Sequence, residues 1–296
     1  MWIAVAERFK RFVADLQVTP AQWNDGIGKH IDAGRLLERA YYGGNFGDAP
    51  PGLLVGSWGK NTQVRPSNDV DSFFILPPEV KARFDQRSGN VQSQLLQEVK
   101  GILEITKSQT RIRGDGQVVL LAFNTITLEI VPVFQTYGGA FIMPDTNGGG
   151  GWKNVDPAAQ IRHIDAADRA MNGNVRALAQ IAKHWRNEKS VPLKSFAIEL
   201  LVANFLPARG WGDQSTFWYD YYVRDFLIYL CGRANSHLVI PGTGQLYWLG
   251  DEWLSRAQTA RDIAISACHW EYHDYDVTAG QEWQKIFGPR IPIHVR

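Results

Sequence analysis

The sequence predicts an α+β protein in which a mixed sheet is packed with a C-terminal helical lobe. Short apolar runs typical of strands occur between residues 53 and 134, whereas apolar residues at helical spacing dominate after Asp156. Two further helical patterns precede the first strand. We therefore divide the chain into a core, residues 1–155, which includes the N-terminal helices, and a helical lobe, residues 156–296.

The N-terminal part should form two helices. The apolar stripe of the first consists of Trp2, Val5, Phe9, Phe12, Val13 and Leu16. Thr19-Pro20-Ala21-Gln22 has the pattern of a capping box with proline at the first helical position, so a second, longer helix should begin there. We expect this helix to run to about Tyr42, before the glycine- and proline-rich loop 43–52, and to span both lobes as a spine.

A Gly-Ser turn between two strands is the central feature of the sequence. Leu53–Val55 and Phe73–Leu76 are apolar runs that predict the strands, and Gly56-Ser57 predicts a tight turn with a short helix start. Glycine lets the backbone approach a ligand closely, and N–H groups at a helix start attract phosphate.

Two carboxylates precede the apolar end of the second strand. Asp69 and Asp71 are two residues apart, so their side chains share one face of that strand. Carboxylates held this close repel each other, and one would stay protonated unless a cation lay between them. Such oxygen ligands suit Mg²⁺, which also binds substrate phosphates. Each motif alone is more often structural, but their order and short spacing favour a metal- and phosphate-binding site.

A third acid lies in a later strand. Val118–Phe123 and Ile126–Phe134 predict a hairpin, and Glu129 interrupts the apolar residues of its second strand. A buried carboxylate is costly without a partner. Two interpretations stay open for Glu129: an exposed residue on the outer face, or a third metal ligand beside Asp69 and Asp71.

The order of these motifs resembles that of the DNA polymerase β-like nucleotidyltransferase superfamily. The resemblance is carried by Gly56-Ser57-x-Gly59-Lys60-x-Thr62, by Asp69-x-Asp71 and by Glu129-Ile130-Val131-Pro132. Within the superfamily, the sequence most resembles the oligoadenylate synthetases and the cGAS/DncV-like nucleotidyltransferases, above all the bacterial anti-phage members. Many members have Asp where this chain has Glu129. The resemblance covers nearly the whole chain.

The resemblance implies a polymerase β-like nucleotidyltransferase sheet and a metal-dependent site. Asp69, Asp71 and Glu129 would be the catalytic carboxylates and would hold two Mg²⁺ ions, for which Mn²⁺ could substitute. The implied nucleotide contacts are Gly56, Ser57, Lys60, Thr62, Lys183, Ser195 and Phe196.

Three of these contacts come from the helical lobe, where Lys183-x-Trp185 and Lys194-Ser195-Phe196 match the family pattern. The resemblance implies that Lys183 and Ser195 hold the triphosphate and that Phe196 stacks on a base. A surface lysine and a helix-start serine are also ordinary structural features. Lys183 lies off the apolar stripe of its helix, so we expect its replacement to affect triphosphate binding more than folding.

The resemblance also implies an activity. Nucleoside triphosphates, with ATP and GTP as candidates, would be joined into a cyclic di- or trinucleotide second messenger with release of pyrophosphate. The setting would be bacterial anti-phage (CBASS) signalling, in which a downstream effector binds the product; no regulatory partner is indicated. Two other functions stay open, an oligoadenylate-synthetase-like enzyme with linear products and a non-catalytic nucleotide-binding scaffold. The presence of all three carboxylates weighs against the scaffold.

Composition limits the partners and the compartment. The net charge is +1 and charged residues make up 21%, so no basic stripe for a long nucleic acid is expected. No apolar run reaches transmembrane length, and the first residues lack the basic segment of a signal peptide. The two cysteines fit a reducing environment. We therefore expect a cytoplasmic protein without membrane contact.

Two further segments carry expectations. The glycine-rich segment 138–151 predicts a mobile loop, and no convincing strand pattern follows Asp156. Cys268, His269 and His273 could suggest a metal site, but no second ligand pair lies at finger-like spacing. Packed helix-end histidines are the favoured interpretation.

Overall fold

The chain folds into eleven α-helices and nine strands within the residues described by the computed structural model, which are 3–44, 47, 49–107 and 110–295. The helices are α1 (Ile3–Leu16), α2 (Pro20–Tyr42), α3 (Gly56–Lys60), α4 (Pro78–Asp85), α5 (Val91–Thr106), α6 (Pro157–Ala170), α7 (Asn174–Glu188), α8 (Ser195–Ala208), α9 (Tyr219–Cys231), α10 (Leu254–Tyr272) and α11 (Asp276–Phe287). The strands are β1 (Gly52–Leu54), β2 (Asp69–Ile75), β3 (Arg111–Asp115), β4 (Val118–Ala122), β5 (Thr127–Gln135), β6 (Phe141–Asp145), β7 (Gly151–Val155), β8 (His237–Val239) and β9 (Leu246–Trp248). Trp2 and three residues of the loop 43–52 lie outside the described ranges. Within those ranges, no helix is long and apolar enough to cross a membrane.

The core contains a mixed sheet, as predicted. Five strands follow the order β1-β2-β5-β4-β3, β6 extends from the end of β5, and β7 pairs with β6. β2 and β5 run parallel, whereas the other neighbouring pairs are antiparallel. The predicted hairpin of β4 and β5 is confirmed.

The two faces of the sheet differ, because side chains alternate along each strand. Val70 and Phe74 of β2 pack in an apolar cluster with residues of α2 and α5. Phe73 belongs to a smaller cluster on the opposite face. Asp69 and Asp71 are four and two residues before Phe73, respectively, so the alternation directs them to this second face, away from the cluster that contains residues of α2 and α5.

The two N-terminal helices pack in different cores. Val5, Phe9, Phe12 and Leu16 of α1 are fully buried in the same cluster as the helices of the C-terminal lobe. The predicted division groups α1 with the sheet, whereas these side chains pack with the helices after residue 156. The physical reason is that the apolar stripe of α1 complements the helical lobe, whereas α2 packs on the sheet. Of the two N-terminal helices, α1 thus packs in the helical lobe, and α2, which was expected to span both lobes, packs on the sheet.

Local signals set both ends of α2. The side chain of Thr19 accepts a hydrogen bond from the backbone N–H of Gln22, and the Gln22 side chain accepts one from the backbone N–H of Thr19. The predicted capping box is therefore confirmed. Gly43, with φ 68°, ends the helix in a left-handed conformation.

The helical lobe begins where the sequence predicts. The last strand of the sheet ends at Val155, and the Asp156 side chain caps α6 by accepting a hydrogen bond from the backbone N–H of Ala159 at 2.8 Å. Arg8 of α1 is fully buried in this lobe. It donates to the Glu271 carboxylate at 2.9 Å and to the Ile293 carbonyl at 2.8 Å, which links α1 to α10 and to the C-terminal segment.

Three strand regions differ from the predictions. β3 was not predicted, and β6 lies within the segment 138–151 that was predicted to be a mobile loop, while β7 begins at its last residue. Sheet pairing and burial form these strands: Phe141 of β6, for example, packs edge-on against Phe73 at 5.6 Å between ring centroids. The third region is the β8–β9 hairpin, which contradicts the expectation of a lobe without strands. Its strands, three residues each, are too short for a periodic pattern.

Candidate active site

The predicted Gly-Ser turn lies directly against one of the acids. Gly56 begins α3 with φ +57°, a left-handed conformation that glycine adopts without strain. A Cβ atom at this position would lie 1.8 Å from Oδ2 of Asp71. The close approach of the turn to the carboxylate therefore requires glycine on two independent grounds.

The three predicted carboxylates come from the parallel strands β2 and β5. Asp71 is the register partner of Glu129, and Asp69 is the register partner of Thr127. In-register residues of adjacent strands share one face of the sheet, and so do Asp69 and Asp71 on a single strand. The sheet therefore brings all three acids to one face.

The environment of these acids disfavours their charged forms. Burial, and then the neighbouring Asp69, raises the pKa of Asp71 to about 6. Burial, followed by the charges of Asp71 and Asp69, raises the pKa of Glu129 to about 7. Each shift has the sign expected for carboxylates that repel one another in a partly desolvated site. The repulsion marks a place where a cation would be strongly favoured.

This donor set fits Mg²⁺ by its chemistry. Carboxylate oxygens are the ligands that hard divalent cations prefer, and Asp69, Asp71 and Glu129 share one face. Among the described residues, however, no three His, Cys, Asp or Glu side chains already converge into a metal cage. An ion would therefore have to draw these three side chains together.

The acids border two cavities. The larger, about 780 Å³, is lined by Asp69 and Asp71 and by six of the seven predicted nucleotide contacts, namely Gly56, Ser57, Lys60, Lys183, Ser195 and Phe196. The other, about 590 Å³, is lined by Glu129 and Asp69. Volumes of this size are typical of small-molecule sites. Two reactants can therefore approach the carboxylates from two sides.

Lys183 is placed differently from the expectation. Its side chain is buried rather than exposed, although it lies off the apolar stripe. Lys183 Nζ donates to Oε1 of Glu199 at 2.7 Å and to the Thr62 carbonyl at 2.9 Å. Replacing Lys183 would break this buried ion pair, so an effect on folding is expected beside the predicted effect on triphosphate binding.

Thr62 also differs from the expectation of a nucleotide contact. It is fully buried, and its hydroxyl donates to Oε1 of Glu199 at 2.5 Å. Thr62 is not among the residues that line the larger cavity. The Thr62 hydroxyl therefore contacts Glu199 behind the cavity wall, and it is not directed at the cavity.

Phe196 lies in an aromatic corner of the larger cavity. It is the second residue of α8, next to Ser195 at the helix start. The ring of Tyr247 on β9 packs edge-on against Phe196, with centroids 4.8 Å apart and planes at 72°. The β8–β9 hairpin thus fixes the ring for which the sequence predicts base stacking.

The comparison with known families adds an independent observation to this geometry. Residues 3–167 match the Second Messenger Oligonucleotide or Dinucleotide Synthetase domain, and this match covers more than half of the chain. The chain belongs to this family. The match includes the Gly-Ser turn and the three carboxylates.

Relatives of this synthetase family agree with the assignment. A probable cyclic nucleotide synthase of Bacillus cereus strain VD146 is 25% identical over 281 residues, which cover 81% of each protein. The CBASS oligonucleotide cyclase CdnC of Escherichia coli strain KTE188 is 29% identical over 198 residues, covering 63% of this chain and 59% of that protein. The cyclic AMP-GMP synthase DncV of Vibrio cholerae, a prokaryotic cGAS homologue, shares the fold, with a TM-score of 0.75, 13% identity and coverage of 97% of this chain and 96% of that chain.

One residue of the candidate site was not predicted from the sequence. Glu199 is 1% exposed and contacts Lys60, Lys183 and Thr62. A signal was present, because Glu199 interrupts the apolar run of α8, and a carboxylate there requires cationic partners. The partners come from distant parts of the chain, so the sequence alone does not identify them.

The Cys268–His273 segment, which gave a weak metal signal in the sequence, lies at the end of α10. The Cys268 thiol donates to the Asp220 carbonyl at 3.4 Å, and His269 packs against His273 with ring centroids 4.5 Å apart. No cluster of three potential metal ligands occurs there among the residues with described positions. The contacts account for the segment as helix packing.

Proposed function

We propose that this protein joins nucleoside triphosphates into a cyclic di- or trinucleotide second messenger and releases pyrophosphate. The observation that carries the proposal is the position of Asp69, Asp71 and Glu129 at the border of two cavities, with Lys60 and Lys183 in the wall of the larger one. A nucleotidyl transfer needs a donor, an acceptor and carboxylates between them. Membership of the synthetase family supports the same reaction.

In this proposal the donor triphosphate occupies the larger cavity. Ser57, Lys60, Lys183 and Ser195 bind its β- and γ-phosphates, and Phe196 stacks on its base. The acceptor nucleotide lies beside Glu129 in the second cavity. The two cavities thus orient the acceptor hydroxyl toward the α-phosphate of the donor.

At the α-phosphorus, the reaction forms one bond and breaks one. The oxygen of the acceptor ribose hydroxyl bonds to the α-phosphorus while its O–H bond breaks and the proton passes to water, and the bond from the α-phosphorus to the bridging oxygen breaks. Pyrophosphate leaves with the bonding electron pair and is held by the lysines. Mg²⁺ held by Asp69, Asp71 and Glu129, or Mn²⁺ in its place, would activate the hydroxyl and neutralise charge at the α-phosphate. The last transfer, the second for a dinucleotide and the third for a trinucleotide, takes place within the linear intermediate and closes the ring.

We further propose that the product acts in anti-phage signalling in the cytoplasm, where an effector protein binds it. The name of the Escherichia coli relative, a CBASS oligonucleotide cyclase, supports this setting. No template or long nucleic acid is needed for the reaction, and the near-neutral net charge of +1 agrees with this.

The experiment is product analysis. The protein is incubated with labelled ATP, GTP, CTP and UTP and with Mg²⁺ or Mn²⁺, the mixture is treated with phosphatase, and the products are identified by mass spectrometry. A phosphatase-resistant cyclic di- or trinucleotide is expected from the wild type and none from the Asp69→Asn/Asp71→Asn variant. Linear products with removable phosphates would instead indicate oligoadenylate-synthetase-like activity. Nucleotide binding without any product would indicate a scaffold.

A further inference from the structure

Lys60, Lys183 and Glu199, which line the larger cavity, form a buried charge cluster with Thr62 behind them. All four residues are less than a tenth exposed. Oε1 of Glu199 accepts hydrogen bonds from Lys183 and Thr62, and Oε2 forms an ion pair with Lys60. One carboxylate therefore contacts both lysines.

The cluster joins two parts of the fold. Lys60 and Thr62 lie at and just after the end of α3, the short helix that begins at Gly56 beside Asp71. Lys183 and Glu199 lie on α7 and α8 of the helical lobe. The position of Glu199 thus sets where the lysines of both parts meet.

The charge of the cluster is greater than a buried carboxylate requires. Burial alone would raise the pKa of Glu199, but the two lysines outweigh burial and the pKa lies below its ordinary value. One lysine would neutralise the ionised carboxylate. The second leaves a positive charge in the cavity wall, which the Asp71 carboxylate in the same cavity partly offsets. An anionic ligand in this cavity would therefore meet two ammonium groups that one carboxylate holds in place.

The geometry leaves donors for that ligand. An ammonium group has three N–H donors. Lys183 Nζ donates to Glu199 at 2.7 Å and to the Thr62 carbonyl at 2.9 Å, and its third contact, with the Thr62 hydroxyl oxygen, is long at 3.5 Å. Lys60 Nζ is ion-paired with the other carboxylate oxygen of Glu199. Both lysines line the larger cavity, and so do Ser57 and Asp71. The remaining donors of an anchored lysine can thus meet a phosphate oxygen at a fixed position.

We propose that Glu199 is a positioning residue, which anchors the ammonium groups of Lys60 and Lys183 so that they bind the β- and γ-phosphates of the donor triphosphate. This proposal rests on the proposed function. It assigns the phosphate contacts to the lysines and gives Glu199 no contact with substrate.

Three variants separate anchoring from simple electrostatics, because they change the charge of the cluster in different ways. Glu199→Gln raises the net charge by one, Lys183→Met lowers it by one, and the double variant restores the wild-type charge without the anchored lysine. Calorimetry measures binding of a nucleoside triphosphate analogue with a non-cleavable α–β bridge and of the matching nucleoside monophosphate. Circular dichroism and thermal melts report the fold.

Anchoring predicts that each single variant binds the triphosphate analogue at least about tenfold more weakly, while monophosphate binding changes less than about twofold. The double variant should bind no more tightly than Lys183→Met, because Glu199 acts through the lysines. Simple electrostatics predicts the opposite order, with wild-type affinity in the double variant and equal or tighter binding in Glu199→Gln. That order would overturn the proposal, as would equal weakening of both ligands.

A milder variant covers the case in which Glu199→Gln does not fold. Thr62→Val removes the hydroxyl that donates to Glu199 but leaves every charge in place. We expect it to weaken triphosphate binding severalfold with unchanged monophosphate binding, and unchanged triphosphate binding would contradict anchoring. These measurements do not depend on product formation. A wild-type protein that binds the analogue but makes no cyclic product would contradict the proposed function and leave the anchoring result valid.

Discussion

Asp71 of β2 and Glu129 of β5 are direct register partners across the parallel strand pair of the sheet. The ladder between two strands fixes the backbone positions of both acids, because every residue of β2 from Asp69 to Ile75 has a partner on β5. The two carboxylates are therefore held by regular structure rather than by loops, an arrangement that keeps a site precise. Their raised pKa values are the electrostatic cost of this placement.

The first prediction concerns the acids of β2. The Asp69→Asn/Asp71→Asn variant should make no product yet fold normally. Removing both charges relieves the repulsion that raises the pKa of Glu129, so the thermal midpoint of the metal-free protein should hold or rise. Loss of these ligands should also abolish any Mg²⁺-dependent thermal shift in the presence of triphosphate. Thermal melts, with and without Mg²⁺, are paired with the product assay.

Two outcomes would contradict this prediction. Synthesis near the wild-type rate would exclude a catalytic role for the pair, and loss of the melting transition would mean that the acids are structural. The single variant Asp69→Asn separates the two positions, because Asp69 is more exposed than Asp71.

The second prediction concerns the turn. Gly56→Ala should lower the free energy of unfolding by about 2 kcal/mol or more and abolish synthesis, because a Cβ there meets Oδ2 of Asp71 and φ is +57°. Gly139→Ala is the matched control: its φ is +82°, but nothing lies within 4 Å of the added Cβ. The control should lose only about 1–2 kcal/mol and retain synthesis. Denaturant unfolding and the product assay measure both, and equal effects in the two variants would contradict the role of the close approach.

The fold could be predicted where local signals agree. The capping box at Thr19 and the start of the helical lobe at Asp156 each have a short-range physical cause, and both were predicted from the sequence. No short-range signal shows which other elements a helix packs against. The stripe of α1 indicates burial but not which core it enters, and the strands β6 to β9 depend on pairing with residues that local pattern does not show.

In the candidate site too, features with a local sequence signal could be predicted, whereas features that depend on tertiary packing could not. Asp69, Asp71 and Glu129 were found because acids in apolar strands are unusual, and the sheet register then brings them together. Lys183 lines the cavity, but its side chain is buried, so the alternative of an ordinary surface lysine does not hold. Its partner Glu199 comes from another helix, and burial of a charged pair is a tertiary property that spacing along one helix does not contain.

The third prediction concerns base stacking. Phe196→Ala should weaken nucleoside triphosphate binding by ~1–3 kcal/mol, the usual contribution of an aromatic platform. Phe196→Tyr keeps a flat ring beside Tyr247 and is the matched control, which should bind almost as the wild type does. Calorimetry with a non-cleavable analogue gives the affinities, and melts verify the fold. Equal affinity of the alanine variant and the wild type, with the fold intact, would exclude stacking on Phe196.

The fourth prediction concerns the pH dependence of stability and a carboxylate, Asp220, outside the candidate active site. Asp220 of α9 is 2% exposed, and burial, with a further contribution from Glu271, raises its pKa to about 7. The Asp220 carboxyl therefore binds a proton more tightly in the native state than in the unfolded state, in which the pKa of an aspartate is about 4. The contribution of Asp220 to the free energy of unfolding should thus fall as pH rises from about 4 to about 7 and stay constant above.

Asp220→Asn removes this titration, so the variant should be more stable than the wild type at pH 8, by at most about 4 kcal/mol, which corresponds to a shift of about three pKa units. At pH 5 the difference should be much smaller, because the wild-type carboxyl is then protonated. Denaturant unfolding of both proteins at the two pH values measures this difference, and carboxylates common to both proteins, such as Asp71, largely cancel from it. The neighbouring Asp225→Asn is the control: it breaks ion pairs with Arg209 and Arg224 and should destabilise the protein at both pH values. A wild type that is more stable than Asp220→Asn at pH 8 would show that Asp220 is charged and well solvated or paired, contrary to its burial.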